Sequence, residues 1–260
     1  MTAKMIKTIS LIGSGNVATH LGVALNMAGY NIYSVYSQQI EKAEKLAARL
    51  DAEPCDNLSE VKHADLAILA VPDTAVVWVA GKLEGKQHFM VHVSGSTEMS
   101  VLEPFSGNFG VVYPLQTFSV FRPVDFKNIP VCIEGSSDEI TEDLIAMASD
   151  ISGDVRGMGS NQRLRVHLAA VFASNFVNYL NIEAADILEN AGVSRDILFP
   201  LMKETLDKML DHHPKEAQTG PAKRKDHGTM GKHIEALNLA PDKQKVYRVL
   251  SEQIKRTFQK

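Results

Sequence analysis

Gly13-Ser14-Gly15-Asn16-Val17-Ala18 follows at once on Thr8-Ile9-Ser10-Leu11-Ile12, a short β-rich run, and leads into an apolar helical pattern through Leu21, Ala24, Leu25 and Ala28. Two glycines one residue apart and a small residue three further on, set between a strand and a helix, form the spacing that brings a backbone turn against a pyrophosphate. Gly13 makes the tight turn. Gly15 has no Cβ to hold a phosphate away, and Ala18 lets the helix lie close to the strand. Free N–H groups at the helix start, with the helix dipole behind them, face the anion. The expected ligand is a nicotinamide dinucleotide, with Gly13, Ser14, Gly15, Asn16, Val17 and Ala18 as cofactor-binding residues. A merely structural βα turn is the alternative, and nothing suggests the larger domain of a flavoprotein.

The next chemistry-bearing position is Ser37. An acidic residue about twenty positions past the glycine turn grips the ribose hydroxyls of NAD. Here the second apolar run ends in Val35-Tyr36-Ser37-Gln38-Gln39, with no acid before Glu41. A serine cannot repel a 2′-phosphate and can donate a hydrogen bond to it, while Lys42 or Lys45 could add charge. NADP is therefore favoured and NAD remains compatible. Ser37 could also serve as an N-cap for the following helix.

A third group lies on one long helical stretch, Asn161 to Ala191, which has no proline or internal glycine and ends at Gly192 as a C-cap. At about 100° per residue, Arg163, His167, Ser174, Asn178 and Asn181 fall in a narrow sector, with Asn175 at its edge. The rest of the helix is Leu, Ala, Val, Phe, Tyr and Ile, so the stripe reads as buried, and buried polar groups need partners. A substrate pocket would supply them; so would a seam against another helix or a second subunit. His167 is the candidate proton donor, because imidazole exchanges protons in the neutral range. Asn175 and Asn178 complete the expected catalytic set, and Ser174 is an expected substrate contact. Around Ala217 to Asp226 a second polar segment, AQTGPAKRKD, reads either as a solvated loop or as a site where Arg224 meets an anionic group, with Asp226 orienting it. Asp211-His212-His213, His227 and His233 lack metal-ligand spacing, so no metal is expected.

The elements that must position these residues are legible on either side of residue 157. Before it, strand patterns at 30–36, 65–71 and 89–93 alternate with helices. The run Asp65 to Val71 is apolar almost throughout, as a parallel strand buried on both faces must be. Val111 to Tyr113 and Pro130 to Ile133 read as later additions that could be antiparallel. Such a βαβαβ order predicts an α/β fold, an open doubly wound parallel sheet whose ligands lie beyond the strands' carboxyl ends. Those ends are Gly13–Gly15, Ser37, Val71–Asp73 and Ser94–Ser96. Val71, Pro72 and Ser94 are thus expected at the cofactor, and Ser96 at the substrate, with Gln116 and Thr117 on the opposite wall. Trp78 is expected to pack its helix against the sheet, and His92 to be a satisfied core group. After the glycines of Arg156-Gly157-Met158-Gly159, only helices are expected, near 197–212, 231–239 and 242–258. The domains are read as 1–157, nucleotide-binding, and 158–260, all-helical, for substrate and dimerisation.

Composition narrows the functional class. The chain has 260 residues, 45% apolar and 22% charged, with a net charge of −4, which argues against nucleic acid as a partner. Cys55 and Cys132 have no redox or metal spacing and suit a reducing compartment, so the expected location is the cytoplasm. No apolar run would span a membrane, and the first apolar stretch is broken by Gly13 to Asn16, unlike a signal peptide.

The pairing of the GSGNVA turn with a long central helix resembles the superfamily of 6-phosphogluconate and β-hydroxyacid dehydrogenases, pyrroline-5-carboxylate reductase and ketopantoate reductase. More closely, the chain resembles a branch in which a Rossmann-like domain precedes a helical domain of unknown function, labelled as NADP oxidoreductase. The matching pieces are Val93-Ser94-Gly95-Ser96, Pro114-Leu115-Gln116-Thr117-Phe118, His167 to Asn175, and Thr219-Gly220-Pro221 with Arg224 and Asp226. The resemblance implies a Rossmann domain, a 6-phosphogluconate dehydrogenase-like helical domain, a homodimer and hydride transfer. The substrate would be a small carbonyl, imine or hydroxy-acid metabolite, expected to be anionic. Of the lysine and asparagine that relay the proton in β-hydroxyacid dehydrogenases, only Asn175 carries over, since Val171 stands where the lysine would be. Tyr113 stands where the branch often has histidine, and Lys225 where it often has glycine. The missing lysine sustains one alternative function, a non-catalytic NAD(P)-binding sensor or partner-binding protein.

Overall fold

A computed structural model of the chain describes residues 6–119 and 122–259. Contacts divide the chain into two compact units, 1–175 and 176–260.

The first unit is built on one eight-stranded sheet: β1 (Thr8–Ile12), β2 (Asn31–Tyr36), β3 (Glu53–Cys55), β4 (Leu66–Leu69), β5 (Phe89–His92), β6 (Asn108–Pro114), β7 (Val131–Gly135) and β8 (Val155–Gly157). Its order is β3-β2-β1-β4-β5-β6-β7-β8. Pairing is parallel from β3 across to β6. β7 then runs antiparallel to β6, and β8 parallel to β7. The strand order reverses between β1 and β4, and that is where an open α/β sheet leaves a crevice at its carboxyl edge. Ile12 is in register with both Tyr36 and Leu69. Gly13, Ser37 and Ala70 therefore come out together at the same edge.

The helices of this unit are α1 (Asn16–Met27), α2 (Ile40–Leu50), α3 (Val76–Lys82), α4 (Asp138–Ile151) and α5 (Ser160–Ala170). Every residue of β4 and β5 is buried, which follows from helices covering both sheet faces. One core joins Ile9, Leu11, Ile68 and Val91 to Leu21 and Leu25 of α1, Leu46 and Leu50 of α2 and Leu144 of α4. The other joins Ile12, Leu69 and Met90 to Val76 and Val79 of α3.

The expected Rossmann sheet and its two added strands are present, and β7 is the antiparallel one. The structure adds the short strands β3 and β8, and helix α4 with its Ser137 cap on the Ile140 N–H. Helix α5 runs into a π turn, Val171–Phe176, and α6 (Val177–Asn190) follows. The second unit contains α6, α7 (Phe199–Asp211), α8 (Pro214–Ala217), α9 (His227–Ala236) and α10 (Pro241–Thr257), with no strand among its described residues. Gly192 sits at φ 68°, and the Val193 N–H reaches the Leu188 carbonyl, so it terminates α6 as its sequence position suggested. No helix of the described residues is long and apolar enough to cross a membrane.

Candidate active site

The glycine turn has two glycines with opposite requirements. Gly13 lies at φ 122°, and a Cβ there would come 2.2 Å from the Ala70 carbonyl oxygen. Its N–H donates to Tyr36 O at 2.8 Å, which ties the turn to β2 while its Cα presses on the end of β4. Gly15, in contrast, has ordinary extended backbone, and among the described residues none beyond its chain neighbours has an atom within 4 Å of the place a Cβ would take. That open space lies beside the start of α1, which has neither a capping side chain nor an acid in its first turn. Helix starts leave N–H groups without partners, so this one is free to take an anion. Ala18 is fully buried and contributes through its backbone and its fit to the sheet.

Ser14 Oγ donates to Ser37 Oγ at 2.9 Å, and Ser37 Oγ also accepts the Gln39 N–H at 3.3 Å. Ser37 does not cap α2, whose N-cap is Gln39. A cavity of about 610 Å³ is lined by Gly13, Ser14, Gly15, Asn16, Ser37, Val71 and Pro72, and also by Lys42 and Trp78. Val17 and Ser94 are outside that lining. The expectation that Trp78 packs against the sheet is corrected: α3 buries Val76, Val79 and Ala80, and leaves Trp78 53% exposed at the cavity wall. These residues fit a dinucleotide phosphate: an uncapped helix start, a glycine with room in front of it, a hydroxyl just past the end of β2 and a lysine in the first turn of α2.

Asn16 donates through Nδ2 to the Phe118 carbonyl at 2.9 Å. His20 stacks on the Phe118 ring at 5.1 Å and donates from Nε2 to Ser119 O at 3.0 Å. These contacts pin the segment after β6 to α1. Gln116 and Thr117 belong to that segment and are exposed, with Gln116 Oε1 accepting the Thr117 N–H.

A second cluster forms at the ends of β5 and β6. Ser94 is buried, and its Oγ accepts the N–H groups of Ser96 and Thr97, shaping the turn. Ser96 Oγ donates to Asp73 at 2.6 Å, joining the β5 end to the β4 end. A Cβ on Gly95 would meet His167 Nδ1 at 2.7 Å and Tyr113 Cζ at 2.8 Å. His167 Nδ1 and the Tyr113 hydroxyl are 3.0 Å apart, and burial pushes the Tyr113 phenol up to about 12. Helix α5 thus delivers His167 directly onto the strand-end turn that carries Ser94 and Ser96.

Below this cluster lies Arg163, 1% exposed. Its guanidinium pairs with Glu134 at the end of β7 and donates to Thr97 O and to Ser160 Oγ. Glu134 also accepts from the Ser160 N–H and hydroxyl. His92 is fully buried; its Nδ1 accepts the Ser94 N–H, and its other nitrogen faces Glu98 O. Burial, reinforced by the positive charge of Arg163, holds its pKa down to about 4, so it is a neutral core group. Glu134 escaped the sequence reading, although it is an acid closing an apolar strand pattern, where a partner must be sought, and Asp73 enters that reading only as part of a strand end.

The polar stripe is not one continuous buried face. Arg163 turns into the first unit, and α6 buries none of its residues in this chain. Val171–Phe176 is a π turn, so the constant step of about 100° per residue does not hold through it. Ser174 is half-buried and Asn175 exposed within that turn. Asn178 is an exposed residue of the second unit, and Asn181 there donates to Val177 O. Arg224, also in that unit, is exposed; Asp226 caps α9 through Thr229, and those hydrogen bonds first, then charges including that of Arg224, hold the Asp226 carboxyl below the usual range. Lys225 sits at φ 59°, a left-handed position that favours glycine. No group of three or more His, Cys, Asp or Glu among the described residues could hold a metal.

Residues 8–95 match the family described as NADP oxidoreductase, coenzyme F420-dependent, and residues 129–254 match a domain of unknown function. No curated protein sequence matches the chain. Among solved structures, a candidate NADP oxidoreductase from Bacteroides fragilis is 40% identical, with a TM-score of 0.93, over 98% of this chain and 100% of its own. A protein from Thermotoga maritima is 22% identical, with a TM-score of 0.72, over 96% of this chain and 98% of its own. A reductive aminase from Aspergillus terreus, in complex with NADPH4, cyclohexanone and allyl amine, is 13% identical with a TM-score of 0.69. It covers 96% of this chain and 93% of its own, and at that identity it shares the fold alone.

Proposed function

The chain belongs to the NADP oxidoreductase family that joins this nucleotide-binding domain to a C-terminal domain of unknown function, and from that premise we propose that it reduces or oxidises a small metabolite with NADP. The substrate is a carbonyl, imine or hydroxy-acid compound. One observation carries this reading: a phosphate-ready turn and a histidine on a strand-end glycine stand along the same edge of one sheet. When bound, the cofactor supplies the hydride chemistry. The α1 start and Gly15 hold its pyrophosphate, and Ser37 with Lys42 hold its 2′-phosphate. His167 supplies the proton to the substrate, and Asn175 and Ser96 contact it. Residues 1–157 serve the nucleotide, and 158–260 serve the substrate and the pairing of two copies.

A second copy is supported by the apolar surface left uncovered in one chain: Ile187, Leu201, Leu206 and Leu210 are 45%, 62%, 53% and 76% exposed. Exposed apolar residues gathered on one pair of helices mark an interaction surface. A monomeric mass in sedimentation equilibrium would remove this part of the proposal. Cytoplasmic location is proposed on the two buried free thiols, Cys55 and Cys132.

Trp78 is the only tryptophan and lines the cavity, so it reports on the cofactor. NADPH is expected to quench it saturably, with a Kd about tenfold or more below that for NADH, the worth of one charge-assisted hydrogen bond. Equal affinities would sink the Ser37 assignment. No binding of either nucleotide, by fluorescence and calorimetry, would sink the oxidoreductase reading itself. NADPH oxidation is then followed against keto acids and cyclic imines. His167→Gln is expected to lower turnover about a hundredfold with NADPH affinity intact; full turnover in that variant would discard His167 as proton donor.

A further inference from the structure

We propose that Tyr113 is the positioning residue of His167: its phenol donates to Nδ1, fixes the ring proton on Nε2, and so makes the imidazole a donor toward the substrate. The proposal rests on the oxidoreductase reading for its purpose, and on geometry for its existence. Three elements meet at one hydrogen bond. β6 carries Tyr113, paired across to Cys132 of β7, and α5 carries His167. The two rings meet edge to face at 5.9 Å and 73°. Gly95, at the end of β5, has no room for a Cβ against either ring.

The direction of that bond decides the chemistry. Burial keeps the phenol protonated far above neutral pH, so Tyr113 is a competent donor to a bare Nδ1. A carboxylate in the same place would demand an N–H at Nδ1 and leave Nε2 bare, which is how a histidine is set up as a general base. The phenol reverses this assignment. A neutral ring with its proton on Nε2 polarises an acceptor atom. The matching substrate group is a carbonyl oxygen or an imine nitrogen, and the matching direction is reduction.

The test uses the full chain without nucleotide. Imidazole ¹⁵N shifts of His167, assigned by comparison with His167→Gln, are read at pH 8.5, together with the order parameter of its Cε1–H bond. In the wild type the proton is expected on Nε2 and the ring rigid. In Tyr113→Phe, which keeps the aromatic ring, the fraction protonated on Nδ1 is expected to rise about fivefold or more, the factor one net hydrogen bond provides. The ring order parameter falls with it, and NADPH affinity is unchanged. An unaltered tautomer ratio and an unaltered order parameter in Tyr113→Phe would overturn the proposal. Because no cofactor is present, a positive result with no NADPH binding would leave the pair standing and defeat the oxidoreductase reading instead.

Discussion

Gly13→Ala and Gly15→Ala, two residues apart in one turn, are expected to fail in opposite ways. Gly13→Ala should lower the unfolding free energy by about 4 kcal/mol or more. Its Cβ would lie 2.2 Å from the backbone oxygen of Ala70, at a φ of 122° that an alanine rarely adopts. The neighbour is a peptide carbonyl at the end of a buried strand, so relief requires moving β4 itself. Gly15→Ala meets no atom of the described residues beyond its chain neighbours within 4 Å and sits in extended backbone. It should therefore cost no more than about 1 kcal/mol, the scale of an N-cap exchange. Its methyl group, however, occupies the approach to the α1 start, and NADPH affinity is expected to fall by about 30-fold or more, roughly 2 kcal/mol. Urea unfolding and NADPH titration on both variants separate the two roles. Unchanged NADPH affinity in Gly15→Ala would return the turn to a merely structural one.

The contrast also shows where the sequence is readable. The glycine spacing, the buried strand Leu66–Leu69 and the absence of an acid after β2 are local patterns, and each occupies the place in the sheet that its pattern required. Short strands such as Glu53–Cys55 are illegible because three residues carry no periodicity; pairing with β2 alone makes them strands. The helical stripe misleads for a related reason. A projection at constant pitch cannot see a π turn, and Val171–Phe176 lies in the middle of the row. Tyr113 stands out in the sequence only as an unusual residue before Pro114. Its meaning depends on His167, fifty-four positions later, and only the packing of α5 on the β5 turn brings the two together. Trp78 illustrates the converse, since a lone large aromatic in an apolar helix reads as core, yet α3 is short enough to bury one side and present the tryptophan to the cavity.

Arg163 and Glu134 carry the last large expectation, because they connect stability to the placement of His167. Arg163 is 1% exposed and Glu134 15%, so either charge left alone would be stranded in the interior. Glu134→Gln is expected to cost about 3–5 kcal/mol, as breaking one side of a buried pair does, and Arg163→Met a similar amount. The double variant Glu134→Gln with Arg163→Met removes the stranded charge, and should recover most of that loss in thermal or urea unfolding. Function is expected to behave differently. Arg163 precedes His167 by one helical turn, and its guanidinium joins the start of α5 to β7 and to the Thr97 carbonyl beside the Ser94–Ser96 turn. Without that tie α5 loses its charged anchor, and the close fit of His167 and Tyr113 on Gly95 loses its fixed reference. The double variant should therefore unfold near the wild-type midpoint while its His167 tautomer ratio moves toward that of Tyr113→Phe. Recovery of both would make the ion pair a stabilising device only; recovery of neither would mean that the end of β7 cannot accommodate an amide in place of the Glu134 carboxylate.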